Sequence, residues 1–204
     1  MILDGKTLKD RVEDGSLIAT RTLLDGSEMR LISSDLHIGP NSIDVTLGGK
    51  MLVATPKRAI DPYDPDSITH EEYTPREHIR DAEPNFLLYP GTVYLGFAAE
   101  RFSMEPSFWP CPTVQMLDGR STIGRIGITV HVTAGFGDIG FAGNFTLELV
   151  NLNTVPVILH PGMRIGQISW HTVSRHEDQM QYTGGYTKDH VGRPVAPVLG
   201  RDRF

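Results

Sequence analysis

Glycine and proline occur so often along this chain that few long helices can form. The 204 residues include 21 glycines and 14 prolines, which divide the sequence into short segments. Runs rich in valine, isoleucine, threonine and aromatic residues lie between them, namely SIDVTLG, FLLYPGTVYLGF, IGITVHVT, NFTLELVNL and PVILHPGMRIGQISW. Such runs predict short strands separated by turns, so we expect a mainly β fold, in a barrel or a sandwich.

Two segments depart from this strand pattern. TLKDRVEDGSL spaces Leu8, Val12 and Leu17 at roughly helical intervals, which predicts one short N-terminal helix. Residues 57–84 contain four prolines and many charges without an apolar period, and this composition predicts a surface excursion. A chain of this length forms one domain of ordinary size, so we expect residues 1–204 to be a single domain.

The C-terminal residues, from about 181 to 204, carry little apolar surface and would not stay folded alone. Two interpretations remain open for them. The segment is either a frayed tail or a flexible flap that orders over a nucleotide, with contacts from Tyr182, Tyr186 and Lys188.

The charge balance and the lack of long apolar runs exclude several classes of protein. There are 19 basic and 25 acidic residues, a net charge of −6, which argues against a general nucleic-acid groove. No stretch approaches the roughly 20 apolar residues of a membrane span, and the N-terminus lacks the apolar core of a signal peptide. The single cysteine, Cys111, cannot form an internal disulfide. We therefore expect a soluble, cytoplasmic protein that binds neither nucleic acid nor a membrane.

LDGRSTIGRIGI, residues 117–128, concentrates groups that bind anions. Within six residues it presents two cations and two hydroxyls, on Arg120, Ser121, Thr122 and Arg125. Exposed backbone amides beside two glycines would add further donors. The segment is neither a Walker loop nor a Rossmann turn. The pattern alone therefore leaves open whether it is a phosphate site or a solvated turn.

NFTLELVN predicts a strand with one acid, Glu148, on its polar face. The period of two sends Phe145, Leu147 and Leu149 to one side and Asn144, Thr146 and Glu148 to the other. A glutamate on such a face is commonly just solvated. However, the loop before it carries four glycines and Asp138, and such loops let a ligand approach the backbone. The strand alone does not decide between these two interpretations.

Two common kinds of catalytic site lack their signatures in this sequence. The eight histidines and one cysteine do not form the H-x-E and P-C-x-x-C pattern of zinc-dependent deaminases. The G-x-S-x-G elbow of serine hydrolases is also missing. We therefore expect neither a zinc site nor a serine nucleophile.

Taken together, the motifs resemble the dCTP deaminase family, the branch of the trimeric dUTPase superfamily that deaminates deoxycytidine nucleotides without zinc. The segments that carry the resemblance follow the family's order over nearly the whole chain: PNSIDVTLGGK, LYPGTVYLGF, LDGRSTIGRIGITVHVTAG, TLELVN and PGMRIGQISW. The resemblance implies a distorted β-barrel of the dUTPase-like type, assembled as a homotrimer with active sites shared between subunits. It also implies conversion of dCTP to dUTP and ammonia, with Mg²⁺ bound to the nucleotide phosphates.

The resemblance also implies roles for individual residues. Glu148 falls on the family's catalytic glutamate, and Ser121 and Arg125 fall on its catalytic companions. Asp138 would meet the deoxyribose, and Ala134 would line the base pocket. The remaining implied nucleotide contacts are Arg120 and Thr122 at the phosphates, the backbone beside Thr146 and Leu147 at the base, and Gln167. One carboxylate in a dry pocket can shuttle the protons that deamination requires.

Two departures from the family pattern leave the substrate and product open. The loop GFGDIGF has Gly137 and Ile139 where the family has isoleucine and proline, so we expect it to be more flexible. The tail GGYTKDH has Asp189 where the family has glutamine, and an acid there would repel a terminal phosphate.

The beginning of the loop, AGF, has Gly135 where many members have histidine. In this it resembles bifunctional members that carry dCTP through to dUMP and pyrophosphate. In plain dUTPases, the loop aspartate holds the attacking water. The alternatives to a dUTP-forming enzyme are therefore the bifunctional enzyme, a deaminase for dCMP or a modified cytosine nucleotide, and a non-catalytic nucleotide-binding regulator.

Overall fold

A computed structural model describes residues 1–64, 66–67, 72–75, 85–104, 112–174 and 194. The N-terminal helix predicted from the sequence is present as α1 (Gly5–Glu13). It begins at Asp4, whose carboxylate accepts a hydrogen bond from the Thr7 N–H at 2.8 Å and so caps the helix. Among the described residues, no helix is both long and apolar enough to cross a bilayer.

The rest of the described fold is built mainly from short strands. In chain order they are β1 (Leu17–Thr22), β2 (Glu28–Arg30), β3 (Ile43–Thr46), β4 (Leu52–Ala54), β5 (Tyr73–Pro75), β6 (Phe86–Leu88), β7 (Val93–Met104), β8 (Thr113–Gly119), β9 (Phe136–Gly137), β10 (Asn144–Val150), β11 (Val157–Leu159) and β12 (Arg164–Thr172). A single-turn 3₁₀ helix (Ser33–Asp35) and a short helix α2 (Ser121–Arg125) lie between strands. The mainly β class predicted from the sequence is confirmed.

The strands pair antiparallel in three sheets. The largest has the order β2-β1-β7-β4-β5, and β10 also pairs with β7. The second sheet has the order β3-β12-β8-β9, and the third consists of β11 and β6. The long strand β7 thus joins the N-terminal strands to β10, which carries Glu148.

The core lies beneath the apolar faces of these sheets. Phe145, Leu147 and Leu149 of β10 are buried, as the alternation in the sequence predicts. Trp170 of β12 and Phe102 of β7 meet edge to face, with ring centroids 5.1 Å apart. This face of β10 is fixed by the core, so its opposite face is available for a site.

A buried carboxylate, Glu100 on β7, joins the two larger sheets. It is only 1% exposed and accepts hydrogen bonds from Arg21 Nε at 2.7 Å, Thr46 N at 2.6 Å and Thr46 Oγ1 at 2.9 Å. These three donors compensate for burial of the charge. The network fixes β3, which carries Asp44, against β7.

The prediction of a strand over IGITVHVT, residues 126–133, is wrong. The chain runs beside β10 here without forming a regular ladder, and Gly127 adopts a φ of 75°. The Thr129 hydroxyl donates to the Glu148 carbonyl at 2.8 Å and accepts from the Val150 N–H at 2.8 Å. The side chain thus replaces two backbone partners of β10, while the Thr129 N–H and the Val130 carbonyl still bond β10, and the segment stays an irregular loop.

Candidate active site

A cavity of about 520 Å³ opens on the polar face of β10 and is called the β10 cavity below. It brings together four of the residues predicted from the sequence, namely Ala134, Asp138, Thr146 and Glu148. Most of the remaining wall is apolar, contributed by side chains such as Val93, Leu95, Phe136 and Phe141. Phe145 also lines the cavity, at the register shift between Asn144 and Thr146 that interrupts the alternation of β10. A largely apolar wall with two carboxylates suits a flat heterocyclic base attached to a polar sugar.

Glu148 is held at one of its two carboxylate oxygens. Oε2 accepts a hydrogen bond from the Val132 N–H at 2.7 Å, and the Glu148 backbone N–H donates to Val130 O at 3.0 Å. None of the described residues bonds the second oxygen, Oε1, and the side chain is half-buried. The amide therefore orients the carboxylate and leaves one oxygen for a ligand.

Asp138 lies at the start of a tight turn on the rim of the same cavity. The Phe141 N–H donates to the Asp138 carbonyl at 2.9 Å, and Gly140, at the third position of the turn, has a φ of 85°. A residue without a side chain adopts this conformation without strain. The Gln115 side chain fastens the end of the turn, because its Nε2 donates to Phe141 O at 3.0 Å.

Gly137 has a packing role that the sequence did not indicate. It pairs with Gln115 of β8, and a Cβ built on it would lie 2.8 Å from Phe145 Cζ and 3.1 Å from Phe141 Cδ1. The two aromatic rings occupy the space that a side chain would need. The glycine therefore lets the Asp138 turn pack closely on the cavity wall.

Gly135 holds the adjoining loop against β8. Its carbonyl accepts a hydrogen bond from the Leu117 N–H at 2.7 Å, and a Cβ on it would lie only 2.6 Å from Leu117 O and 3.1 Å from His131 Nε2. The nearest obstacle is a backbone atom, which cannot rotate away. Any side chain at this position must therefore displace the loop that carries Ala134 and Phe136.

We expect Gly135→Ala to lower the free energy of unfolding by about 1–3 kcal/mol, in the range found for overpacked sites. Urea denaturation followed by circular dichroism measures this difference. Gly39→Ala is the matched control, because a Cβ there would lie 3.5 Å from its nearest neighbour, an ordinary contact. Equal losses in the two variants would contradict the assignment of the close contact to Gly135.

A second cavity, of about 440 Å³, lies beside α2 and is called the α2 cavity below. It brings together Arg120, Ser121 and Gln167, which the sequence analysis placed at the nucleotide. Asp44 and Asp118 also line it. The side chains of Thr122 and Arg125 are exposed on α2 and line neither cavity.

One carboxylate of the α2 cavity lining, Asp44, binds two arginines. Asp44 Oδ2 accepts a short hydrogen bond from Arg120 Nη1 and a second one, at 3.1 Å, from Arg164 Nη1. Asp44 is only 18% exposed, so these charge-assisted bonds are partly shielded from water. The Arg120 guanidinium therefore has a fixed orientation before any ligand binds.

Gln167 is also fixed by its neighbours. Its Oε1 accepts from Ser42 Oγ at 2.8 Å, and its Nε2 donates to Gly119 O at 3.3 Å. A ligand would compete for the second, longer bond. Among the described residues, no group of three or more His, Cys, Asp or Glu side chains is placed to hold a metal ion.

Comparison with known proteins places the chain in a family. A family model described as dCTP deaminase-like matches residues 2–173. The chain belongs to the dCTP deaminase-like family. A relative from Dictyoglomus thermophilum, named "dCTP deaminase, dUMP-forming", is 37% identical over 203 residues, which cover 99% of this chain and 96% of the relative. A protein of the same name from Halobacterium salinarum is 36% identical over 208 residues, covering 100% of this chain and 98% of the relative.

A solved structure supports the fold of this dCTP deaminase-like chain. The 2'-deoxycytidine 5'-triphosphate deaminase from Agrobacterium tumefaciens superposes with a TM-score of 0.55 at 19% identity. The match covers 83% of this chain and 46% of the solved one, so this chain spans less than half of that protein's length. The likeness concerns the fold alone. The expected fold is confirmed as that of a dCTP deaminase, and the family model and the relatives confirm the expected dCTP deaminase-like hydrolase.

The structure separates the residues that the sequence analysis assigned to catalysis. Glu148 lines the β10 cavity, whereas Ser121 lines the α2 cavity of the same chain. The Leu147 side chain is buried in the core, so only its backbone is left for the predicted contact with the base. The predicted contacts by Tyr182, Tyr186 and Lys188 lie outside the described residues.

The cavity residues that the sequence analysis did not identify include two polar ones, Asp44 and Tyr73. Asp44 is an acid between the apolar residues Ile43 and Val45 of SIDVTLG, and an acid in a predicted strand could have marked it as a site residue. Tyr73 lines the β10 cavity from β5, within the predicted surface excursion, where the sequence has no periodic pattern to mark it. Burial raises the pKa of the Tyr73 hydroxyl, and the Glu72 carboxylate adds to the increase. The phenol therefore stays protonated at neutral pH and can donate a hydrogen bond.

Proposed function

We propose that this protein deaminates dCTP and continues to dUMP and pyrophosphate. One observation carries the proposal: Glu148, the candidate base for deamination, and Asp138, the loop acid, line the same cavity. The relatives from D. thermophilum and H. salinarum are both named as dUMP-forming, and they match the chain over almost its whole length. Of the sequence-based expectations, deamination of dCTP is kept, and dUMP replaces dUTP as the product.

Glu148 supplies the proton transfers of the first reaction. Water adds at C4 of cytosine, N3 takes up a proton, and a second proton goes to the departing ammonia. A single carboxylate can serve each transfer when one of its oxygens is anchored and the other meets the substrate. The hydrogen bond from Val132 provides that anchor, and the apolar wall limits competing water.

The separation of the two cavities supports an active site shared between subunits. Glu148 and Ser121 line different cavities of one chain, and we infer that a site using both draws them from two copies. Arg125 is exposed, and no described residue pairs with its guanidinium, so it is available to reach across an interface. We therefore infer a homotrimer in which α2 of one subunit meets the β10 cavity of the next.

Asp138 serves the second reaction. It holds a water that attacks the α-phosphorus of the dUTP formed first. A new P–O bond forms to that water, and the bond to the bridging oxygen of the β-phosphate breaks, releasing pyrophosphate. Mg²⁺ enters with the substrate, bound to its phosphates, and offsets their charge. Arg120 and Ser121 bind the same phosphates.

Tyr182, Tyr186 and Lys188 lie outside the described residues. We propose that they contact the bound nucleotide and that residues 1–204 are a single domain. Because deoxynucleoside triphosphates are metabolites of the cytoplasm, we place the reaction there.

Product analysis tests the proposal directly. The full chain is incubated with dCTP and Mg²⁺, and ammonia, dUTP, dUMP and pyrophosphate are followed over time. We expect equal amounts of ammonia, dUMP and pyrophosphate without accumulation of dUTP. Accumulation of dUTP would restrict the activity to deamination, and tight binding of dCTP without any product would indicate a regulator.

A further inference from the structure

β12 contains a bulge at the point where it passes the α2 cavity. Arg164 pairs with Thr46 of β3, and Gly166 pairs with Val45, the adjacent residue of β3. Two steps along β12 therefore correspond to one step along β3. Such an extra residue shifts the alternation of side chains and can turn one of them toward a site.

The bulge places Arg164 on the same face as Gln167. In a regular strand, residues three apart point to opposite faces of the sheet. Here Gln167 pairs with Asp44, and Arg164 Nη1 bonds the Asp44 carboxylate at 3.1 Å, so both side chains lie on the Asp44 side. The strand thereby adds a guanidinium beside Asp44, a residue that lines the α2 cavity, although Arg164 is not itself part of that lining.

The charge of the α2 cavity indicates a use for this guanidinium. Its lining includes one cation, Arg120, and two carboxylates, Asp44 and Asp118. A lining with an excess of negative charge would bind a polyphosphate poorly. Arg164, paired with Asp44, supplies a second cation against these two carboxylates. Its side chain is 45% exposed, and a guanidinium has five N–H donors, of which one bonds Asp44.

We propose that Arg164 is a phosphate-binding residue of this site and that it helps to hold the phosphate chain of a nucleoside triphosphate. Arg120 and Arg164 converge on one oxygen of Asp44, so their guanidinium groups are close enough to bind neighbouring phosphates of one chain. Asp44 orients both groups until the ligand arrives. The inference rests on the proposed function for the identity of the nucleotide, but binding of the phosphates can be tested without turnover.

The test compares the wild type with Arg164→Gln in the full chain. Calorimetry gives the Kd for inorganic tripolyphosphate, and steady-state kinetics give kcat and KM for dCTP. We expect the Kd and the KM to rise at least about tenfold in the variant, because a charge-assisted hydrogen bond is lost. The kcat should stay within about twofold, because Arg164 does not contact the reacting base. Arg164→Lys keeps the charge and should show a smaller rise.

Arg101→Gln is the matched control. It removes an arginine–carboxylate pair of similar length, 3.2 Å to Glu28, on residues that line neither cavity. Thermal melting confirms that each variant is folded. An unchanged Kd for tripolyphosphate in Arg164→Gln, an equal rise in Arg101→Gln, or a wild type that does not bind tripolyphosphate would overturn the inference.

The two proposals can fail separately. If the wild type forms no product from dCTP, but Arg164→Gln still weakens tripolyphosphate binding, the proposed reaction is wrong and the phosphate site stands. If dCTP is converted normally and Arg164→Gln changes neither Kd nor KM, the role of Arg164 is wrong and the reaction stands.

Discussion

Replacing Glu148 with glutamine is expected to lower kcat for ammonia release from dCTP by at least about 100-fold. The amide has nearly the shape of the carboxylate, and its oxygen can still accept the hydrogen bond from the Val132 N–H. It cannot carry a proton between water, N3 and the leaving ammonia. Affinity for dCTP should therefore change by less than about threefold, because binding does not use that proton. An ammonia assay and calorimetric titration with dCTP measure the two effects.

Glu28→Gln is the control for this variant. Glu28 is an exposed glutamate on β2 whose carboxylate pairs with Arg101 at 3.2 Å, and it lines neither cavity. We expect its turnover to match that of the wild type. A Glu148→Gln enzyme that kept more than about a tenth of wild-type turnover would contradict the assignment of Glu148 as the base.

Replacing Asp138 with asparagine is expected to change the product from dUMP to dUTP. The deamination chemistry depends on Glu148, so ammonia release should fall by no more than about threefold. Hydrolysis at the α-phosphorus loses the carboxylate that holds and activates the water, so we expect dUMP formation to fall by about 100-fold or more. Chromatography of the nucleotides during reaction with dCTP and Mg²⁺ shows whether dUTP accumulates.

Asp25→Asn controls for the loss of one surface carboxylate. Asp25 lies in the turn between β1 and β2, where its side chain accepts hydrogen bonds from Ser27, and it lines neither cavity. Its products should match those of the wild type. Unchanged dUMP formation in Asp138→Asn would remove Asp138 from the second reaction. Equal losses of ammonia and dUMP would instead limit it to binding the substrate.

Local sequence patterns predicted the parts of the fold that depend on local periodicity. The alternation in NFTLELVN placed Leu147 in the core and Glu148 on the opposite face, as observed. The helix α1 follows from apolar spacing near a capping residue. The same kind of reasoning failed at IGITVHVT, because the Thr129 hydroxyl replaces backbone partners along β10. Because the segment is an irregular loop and not a strand, the hydrogen bond from the Val132 N–H to Glu148 could not be predicted.

The geometry of the α2 cavity depends on pairings between distant parts of the chain. Asp44 and Arg164 are 120 residues apart, and no local pattern connects them. The bulge on β12 is defined only by its register with β3. Counting alternate residues along PGMRIGQISW would have placed Arg164 and Gln167 on opposite faces. The motif PGMRIGQISW therefore helps to identify the family. It does not show that Arg164 and Gln167 lie on the same face of the sheet.

The position of β7 also makes this fold depend on pairings between distant parts of the chain. β7 pairs with β1, where Arg21 meets Glu100 across 79 residues of sequence, and with β10, where Leu95 faces Glu148. Closing such long loops costs entropy before the paired strands repay it, so non-local sheets fold slowly. A local hairpin therefore does not contain the site. Glu148 has its place in the sheet only when β10 is paired with β7, so a nascent chain that ends before β10 would lack the candidate catalytic carboxylate.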